Sequence, residues 1–248
     1  MSVKIDCVFI HGWAMNSAVW RGCLQYLPDW INPLCIDLPG YGEAVNVDAV
    51  TLDDYVEHVA GQITRPALLA GWSLGGLVSL QLALSYPQKA AGLLQVATNP
   101  RFVRHDNWPT AIDSDVFTQF ATALEKNASK TIQRFVALQV RGTDTSMRTV
   151  RALQRALDER GLPHIEALRA GLEILSATDL TTTVAKLQCP VAWLLGDRDA
   201  LVPVALAQTL KQLSPGVETG VIRGAGHAPF ISHPEDFARA VVQAAERI

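Results

Sequence analysis

The chain has 248 residues, 49% of them hydrophobic, and a formal charge of −3. That suits one α/β-sized globular unit or a domain with an insertion, and excludes a disordered or low-complexity protein. No apolar run approaches membrane-spanning length, and the stretch from Met1 to Ile10 is too short and too interrupted by charge for a leader peptide, so a cytoplasmic protein is expected, with no membrane partner.

In chain order, Val8-Phe9-Ile10 reads as a short strand that ends in His11-Gly12-Trp13-Ala14-Met15-Asn16. Gly12 lets the backbone approach a ligand, which makes the Trp13 N–H a candidate donor to a carbonyl oxygen. Asn16 or Ser17 can cap a helix carrying Val19, Trp20, Leu24 and Leu27, with Pro28 just past its end. Leu34 to Asp37 is the next strand, running into the Gly-rich turn Leu38-Pro39-Gly40-Tyr41-Gly42. A helix opens at Thr51, presents Tyr55, Val59 and Ile63 on one face, and is stopped by Pro66.

The next stretch, Leu68-Leu69-Ala70-Gly71-Trp72-Ser73-Leu74-Gly75-Gly76-Leu77, is an apolar run ending in G-x-S-x-G. Leu77, Leu80 and Leu84 then recur at helical spacing, so Ser73 sits at a strand-to-helix turn, above a helix N-terminus that favours developing negative charge. Ser73 is the candidate nucleophile, and the Leu74 N–H is a second candidate oxyanion donor. Ala90 to Thr98 is a further strand. Strands alternating with amphipathic helices imply a doubly wound, mostly parallel sheet.

After Pro100 the pattern becomes helical and strand-free for about eighty residues, with apolar faces at Val116, Phe117, Phe120 and Leu124; at Ile132, Phe135, Val136 and Leu138; at Val150, Leu153 and Leu157; and at Ile165, Leu168, Leu172 and Leu175. The α/β pattern resumes at Cys189-Pro190 with the strand Val191 to Gly196, a helix around Leu206 to Leu213, a strand near Val217 to Ile222 and a helix from Pro234. The expected organisation is a core of residues 1–100 and 180–248, with residues 101–179 inserted as a helical cap. The cysteines Cys7, Cys23, Cys35 and Cys189 lack C-x-x-C spacing and read as buried free thiols.

A serine nucleophile needs a base, and the base needs an acid to fix its tautomer. Gly196-Asp197-Arg198-Asp199 follows a strand; Asp199, last in the G-x-x-D turn, is the preferred acid, with Asp197 expected to point away or pair with Arg198. His227, in Gly224-Ala225-Gly226-His227-Ala228-Pro229 after the last strand, is the base. His11 reads as a structural residue holding its loop by hydrogen bonds. The order Ser73, Asp199, His227 is that of an α/β hydrolase. Nothing in the pattern calls for a metal or an organic cofactor.

The chain resembles the pimeloyl-[acyl-carrier-protein] methyl ester esterases of biotin synthesis. The resemblance rests on His11-Gly12-Trp13 with Asn16 and Val19-Trp20-Arg21, on Gly71 to Val78, Asp106-x-Trp108-Pro109, Arg134-Phe135-x-Ala137-Leu138-Gln139, Gly171-Leu172-Glu173-Ile174-Leu175 and Ala228 to Pro234. It implies an α/β-hydrolase fold and cleavage of a methyl ester carried on acyl-carrier protein. It also implies that Trp13, Ser73, Leu74, His227 and the span Phe135, Val136, Ala137, Leu138 and Gln139 contact the acyl chain. Charge points the same way. From Lys126 to Arg155 seven basic residues (Lys126, Lys130, Arg134, Arg141, Arg148, Arg151 and Arg155) face one acid, Asp144, a surplus of +6 that leaves −9 for the rest of the chain. Helical spacing puts Lys130 and Arg134 on one face, and Arg148, Arg151 and Arg155 on another, as expected of a surface that binds an acidic carrier protein. No aromatic set accompanies these faces, which argues against nucleic acid. A monomer is expected. A broad short-chain carboxylesterase, a C–C bond hydrolase and a non-catalytic binding protein of the same fold stand as alternatives.

Overall fold

The structure, a computed structural model, describes residues 4–248; Met1 to Val3, the first residues of the opening stretch, lie outside the described residues. Six strands, β1 (Ile5–Ile10), β2 (Ile31–Ile36), β3 (Ala67–Trp72), β4 (Ala90–Val96), β5 (Val191–Gly196) and β6 (Glu218–Ile222), form one sheet in the order β2-β1-β3-β4-β5-β6. Every pairing is parallel. Parallel strands need helical crossovers on both faces, so the central strands are buried twice over, and all six residues of β3 are buried. The order reverses between β1 and β3, which opens a crevice at the carboxyl ends of the strands.

The crossovers include α1 (Arg21–Leu24), α2 (Leu52–Gln62) and α3 (Leu74–Ser85). Asn16 caps the first of these connections, accepting from the Ala18 N–H, and the single helix expected there is a 3₁₀ turn, Ser17–Trp20, followed by α1. Thr51 and Asp54 close a reciprocal capping box at the start of α2. α3 is apolar all round and is buried under β3 and β4. The helices α4 (Ser114–Lys126), α5 (Ala128–Gln139), α6 (Ser146–Arg160) and α7 (Ile165–Ala177) lie between β4 and β5, and α8 (Leu206–Leu213), α9 (Pro229–Ser232) and α10 (Pro234–Ala245) complete the chain. Among the described residues no strand forms between β4 and β5, as expected; the stretch before α4 carries only isolated bridges, Val103 to Ile112 and His105 to Trp108. Of the four cysteines, all free, Cys7 and Cys23 are buried, and Cys35 and Cys189 only partly so.

Side chains and carbonyls tie the inserted helices to the sheet. Arg160, at the end of α6, donates to the buried Asp37 carboxylate at 2.8 Å, and Arg21 holds Glu159 in a two-pronged pair at 2.7 Å. Asp37 also accepts the N–H groups of Ser17 and Glu43. From α7 the carbonyls of Ala167 and Leu168 accept the Tyr41 hydroxyl at 3.0 Å and the Trp13 indole N–H at 2.8 Å. Gly40, with φ +79°, lies where a Cβ would overlap Ala167, so the turn after β2 admits α7 only because that position has no side chain.

His11 is fully buried beside this network. The Leu38 N–H donates to its Nε2 at 3.0 Å, so the ring proton lies on Nδ1, which donates to the Gly12 carbonyl. Burial, partly opposed by the nearby Asp37 charge, holds its pKa below the ordinary histidine value of about 6.5. As pH falls through that value the unfolded chain takes up the proton first, so His11 contributes stability above about pH 6.5 that is lost below it. Urea unfolding at pH 7 and pH 5 checks this. His11→Gln is expected to lower stability at pH 7 yet to shrink the loss between the two pH values, by at most the bound for one proton of about 1.4 kcal/mol per pH unit. An equal loss in both proteins would show that His11 does not carry the effect.

Candidate active site

The site is assembled from the carboxyl ends of β1, β3, β5 and β6. Ser73 follows β3 with φ 54° and ψ −116°, a conformation that turns its hydroxyl out of the sheet before α3 begins. The turn closes because side chains are missing around it. A Cβ at Gly75 would overlap the carbonyls of Ile10 and His11, and one at Gly12 would meet Ser73 Cβ at 3.1 Å. Thr98 Oγ1 donates to the Ser73 carbonyl at 2.7 Å, and the Ser73 N–H donates to Val96 at 3.0 Å, which locks the turn to the end of β4.

The Ser73 hydroxyl stands 3.0 Å from His227 Nε2, and His227 Nδ1 stands 2.8 Å from Asp199 Oδ2. The carboxylate can only accept, so Nδ1 bears the proton of the neutral ring and Nε2 is left to accept from Ser73. The other Asp199 oxygen accepts the N–H groups of Leu201 and Val202, and the side chains of Asp199 and His227 are both fully shielded from solvent. The His227 backbone is held at both ends: its N–H donates to the Gln139 carbonyl at 3.0 Å, and its carbonyl accepts the Trp72 indole N–H at 2.7 Å. Among the described residues, the N–H groups of Trp13 and Leu74 donate to no protein acceptor. The arrangement can therefore move a proton from Ser73 to His227 while two free N–H groups flank the nucleophile, the requirements of acyl transfer.

Asp197, the rival acid, lies exposed and accepts the Gly224 N–H at 2.7 Å. It does not pair with Arg198, which donates instead to the Gly142 carbonyl, reaching the connection between α5 and α6.

Above Ser73 and His227 is a narrow cavity that opens to solvent, its empty space of about 450 Å³ including that open mouth. Trp13 and Phe135 line it, together with Phe102, Ile112 and Leu201 from loops, Val116, Phe117 and Phe120 from α4, and Leu172 and Leu175 from α7. Ser73 and His227 are its polar residues. Of the five consecutive positions of α5 expected to contact a substrate, Phe135 alone lines this cavity. Val136 faces the cleft against α6 with Ile132 and Leu157, Ala137 is exposed, Leu138 is half-buried, and Gln139 contributes its carbonyl to His227. The reason is helical geometry, since five successive residues point around the whole helix. The α4 residues and Trp72 went unread as site residues; the only sequence signal for the latter was its place inside the G-x-S-x-G motif.

Lys130 and Arg134 on α5, and Arg148, Arg151 and Arg155 on α6, are all exposed and stand away from the cavity lining. Among the described residues, none of the seven basic side chains from Lys126 to Arg155 forms an ion pair, whereas Arg21, Arg65, Arg101, Arg160, Arg169 and Arg247 all do. No group of three or more His, Cys, Asp or Glu side chains among the described residues could hold a metal ion, and no helix there is long and apolar enough to cross a membrane.

A sequence profile of the alpha/beta hydrolase family matches residues 7–240. The chain is 40% identical over 241 residues to a pimeloyl-[acyl-carrier protein] methyl ester esterase of Yersinia pseudotuberculosis serotype IB, covering 97% of this chain and 93% of the relative. It is likewise 40% identical over 243 residues to the protein of the same name from Edwardsiella ictaluri, covering 98% and 94%. Among solved structures, a bromoperoxidase from Bacillus anthracis superposes with a TM-score of 0.87 at 17% identity, over 98% of this chain and 92% of that one, and shares the fold. The chain belongs to the alpha/beta hydrolase family and, within it, to the pimeloyl-[acyl-carrier protein] methyl ester esterases.

The two aspartates can be separated by kinetics. Asp199→Asn is expected to lower kcat by about 10⁴-fold, the cost of a wrong histidine tautomer elsewhere, and Asp197→Asn to change it by less than about threefold. Hydrolysis of p-nitrophenyl acetate by both variants measures this, and the reverse ranking would move the acid to Asp197.

Proposed function

We propose that this chain hydrolyses the methyl ester of pimeloyl-[acyl-carrier protein], releasing methanol and the free carboxylate for biotin synthesis. It would work in the cytoplasm as a monomer and without a cofactor. The observation that carries the reading is the unbroken Ser73–His227–Asp199 hydrogen-bond chain at the floor of an apolar cavity, in a chain that is 40% identical to esterases of that name. An unbroken chain also favours an enzyme over a binding protein.

In the proposed mechanism His227 Nε2 takes the Ser73 proton as Oγ attacks the ester carbonyl. The Trp13 and Leu74 N–H groups receive the oxyanion, a contribution that amounts to about 3 to 4 kcal/mol per donor in other hydrolases. His227 then protonates the departing methoxide, and Asp199 stabilises the imidazolium between the two transfers. Water, activated by His227 in the same way, releases the acyl group from Ser73.

The carrier protein is assigned to the basic faces of α5 and α6 through Lys130, Arg134, Arg148, Arg151 and Arg155. Acyl-carrier proteins are acidic, and a cation with no partner of its own is free to meet a carboxylate on theirs. Arg148 and Arg155 border a groove that also includes Phe230 and Ile231, three and four residues beyond His227, so this face adjoins the segment that carries the base.

Growth of a biotin-requiring strain lacking its own esterase, restored by this chain and not by its Ser73→Ala variant, tests the function as a whole. The docking surface is tested by reversing charge at Arg134, Arg148 and Arg151. kcat/KM is expected to fall at least roughly tenfold for the carrier-bound methyl ester and less than about twofold for p-nitrophenyl acetate, with the gap narrowing as salt rises. Equal losses on both substrates would locate the damage in the pocket rather than in docking.

A further inference from the structure

Helix α4 is anomalous in its packing. Its ends are well made: Asp113 accepts the Asp115 N–H at the start, and Asn127 follows the last turn. Yet in 13 residues only Leu124 is buried, whereas α7, of the same length, buries seven. Val116, Phe117 and Phe120 share one face of α4 and are each only half-buried. A helix with an apolar face normally presses that face on a core. Here α4 packs sideways on α5 and α7, and beneath its apolar face lies the cavity that ends at Ser73 and His227.

We propose that Val116, Phe117 and Phe120 form the wall that measures the acyl chain, so that α4 sets the chain-length preference of the enzyme. This rests on the esterase reading above and adds residues to it. The occupant is an unbranched aliphatic chain, uncharged along its length. Among the described residues no charged side chain lines the cavity, and beyond Ser73 and His227 its one hydrogen-bonding side chain, the Trp13 indole, already donates to the Leu168 carbonyl, so a polar group lodged under α4 would lose its water without a replacement partner. A methylene chain instead gains from covering the half-exposed rings, and only a chain long enough to reach them from Ser73 collects that gain. Phe120 is also in edge contact with Phe135, at 6.2 Å between ring centres, which sets the wall against the α5 residue that lines the cavity.

The test is a series of p-nitrophenyl esters from acetate to octanoate. For the wild type, kcat/KM is expected to climb roughly fourfold per methylene, the transfer ratio for one CH₂, up to the length that meets α4. In Phe120→Ala and in Phe117→Ala the hexanoate-to-acetate ratio should fall at least about fivefold, and Phe120→Leu should recover most of it. Gln119→Ala, on the exposed face of the same helix, should leave the ratio unaltered. Thermal melts identify any variant that has lost its fold, and the Leu replacement keeps the question open to measurement in that case. Unchanged ratios in both alanine variants, with hydrolysis intact, would overturn the α4 assignment alone. Failure of the wild type to hydrolyse any ester would instead overturn the esterase reading on which it rests.

Discussion

The left-handed backbone at Ser73 is the constraint on which the rest of the molecule depends. A non-glycine residue held at φ 54° and ψ −116° costs on the order of 1 to 3 kcal/mol, and it persists only where its surroundings leave no alternative. β3 is central and fully buried, α3 is packed over it, and β1 runs so close that Gly75 lies against the Ile10 and His11 carbonyls. From the other side Thr98 holds the Ser73 carbonyl, and the Trp193 indole of β5 holds the Thr98 carbonyl. Four neighbouring strands thus converge on one turn. The hydroxyl that results is fixed before any substrate arrives, which is what a nucleophile aligned with a base requires.

The same logic extends to the inserted helices, which divide into a rigid and a loosely packed half. α7 is a buttress. Its Leu168 carbonyl grips the Trp13 indole, its Ala167 carbonyl grips Tyr41, and Gly171 lies where any side chain would collide with both rings. The loop that carries the Trp13 N–H, the proposed oxyanion donor, is therefore shaped from above by residues some 155 positions later in the chain. Preorganised donors act at full strength only if they need not move during the reaction, and α7 supplies that rigidity. Among the described residues α4 makes no hydrogen bond to the Trp13 loop or to His227 and buries only Leu124, a loose seat compatible with substrates entering beneath it.

This division explains which parts of the site could be read from sequence. Ser73, Asp199 and His227 are each announced by a local pattern, because a strand that ends in a catalytic turn needs glycines at fixed offsets around it. The strands and the four inserted helices are legible for the same reason: period 2, period 3.6 and unbroken apolar runs are local signals. What acts across space leaves no such trace. Nothing near Arg160 indicates that it reaches Asp37, and nothing near Trp72 indicates that its indole holds the His227 carbonyl. The run Phe135 to Gln139, which the family resemblance implies as substrate contacts, reaches the cavity through Phe135, because a helix distributes such a run over all its faces.

The arginines complete the argument, because their pairing separates what holds the fold from what remains available. Arg160 sits with Asp37 and Glu43 at the seam between α6 and the sheet, where removing one partner would strand a buried charge. Arg21 secures the same helix end through Glu159, and Arg169 fastens α7 to α4 through Glu125. These cations are committed, and each lies at a contact between the inserted helices or between them and the sheet. The cations from Lys126 to Arg155 are uncommitted and exposed. Exposed charges add little to stability, so neutralising them leaves the scaffold intact, and their mutual repulsion is relieved when an acidic surface approaches. An acidic carrier could thus engage α5 and α6 without breaking the pairs that seat α6 on the sheet, and the geometry around Trp13 and Ser73 would be undisturbed as it docks.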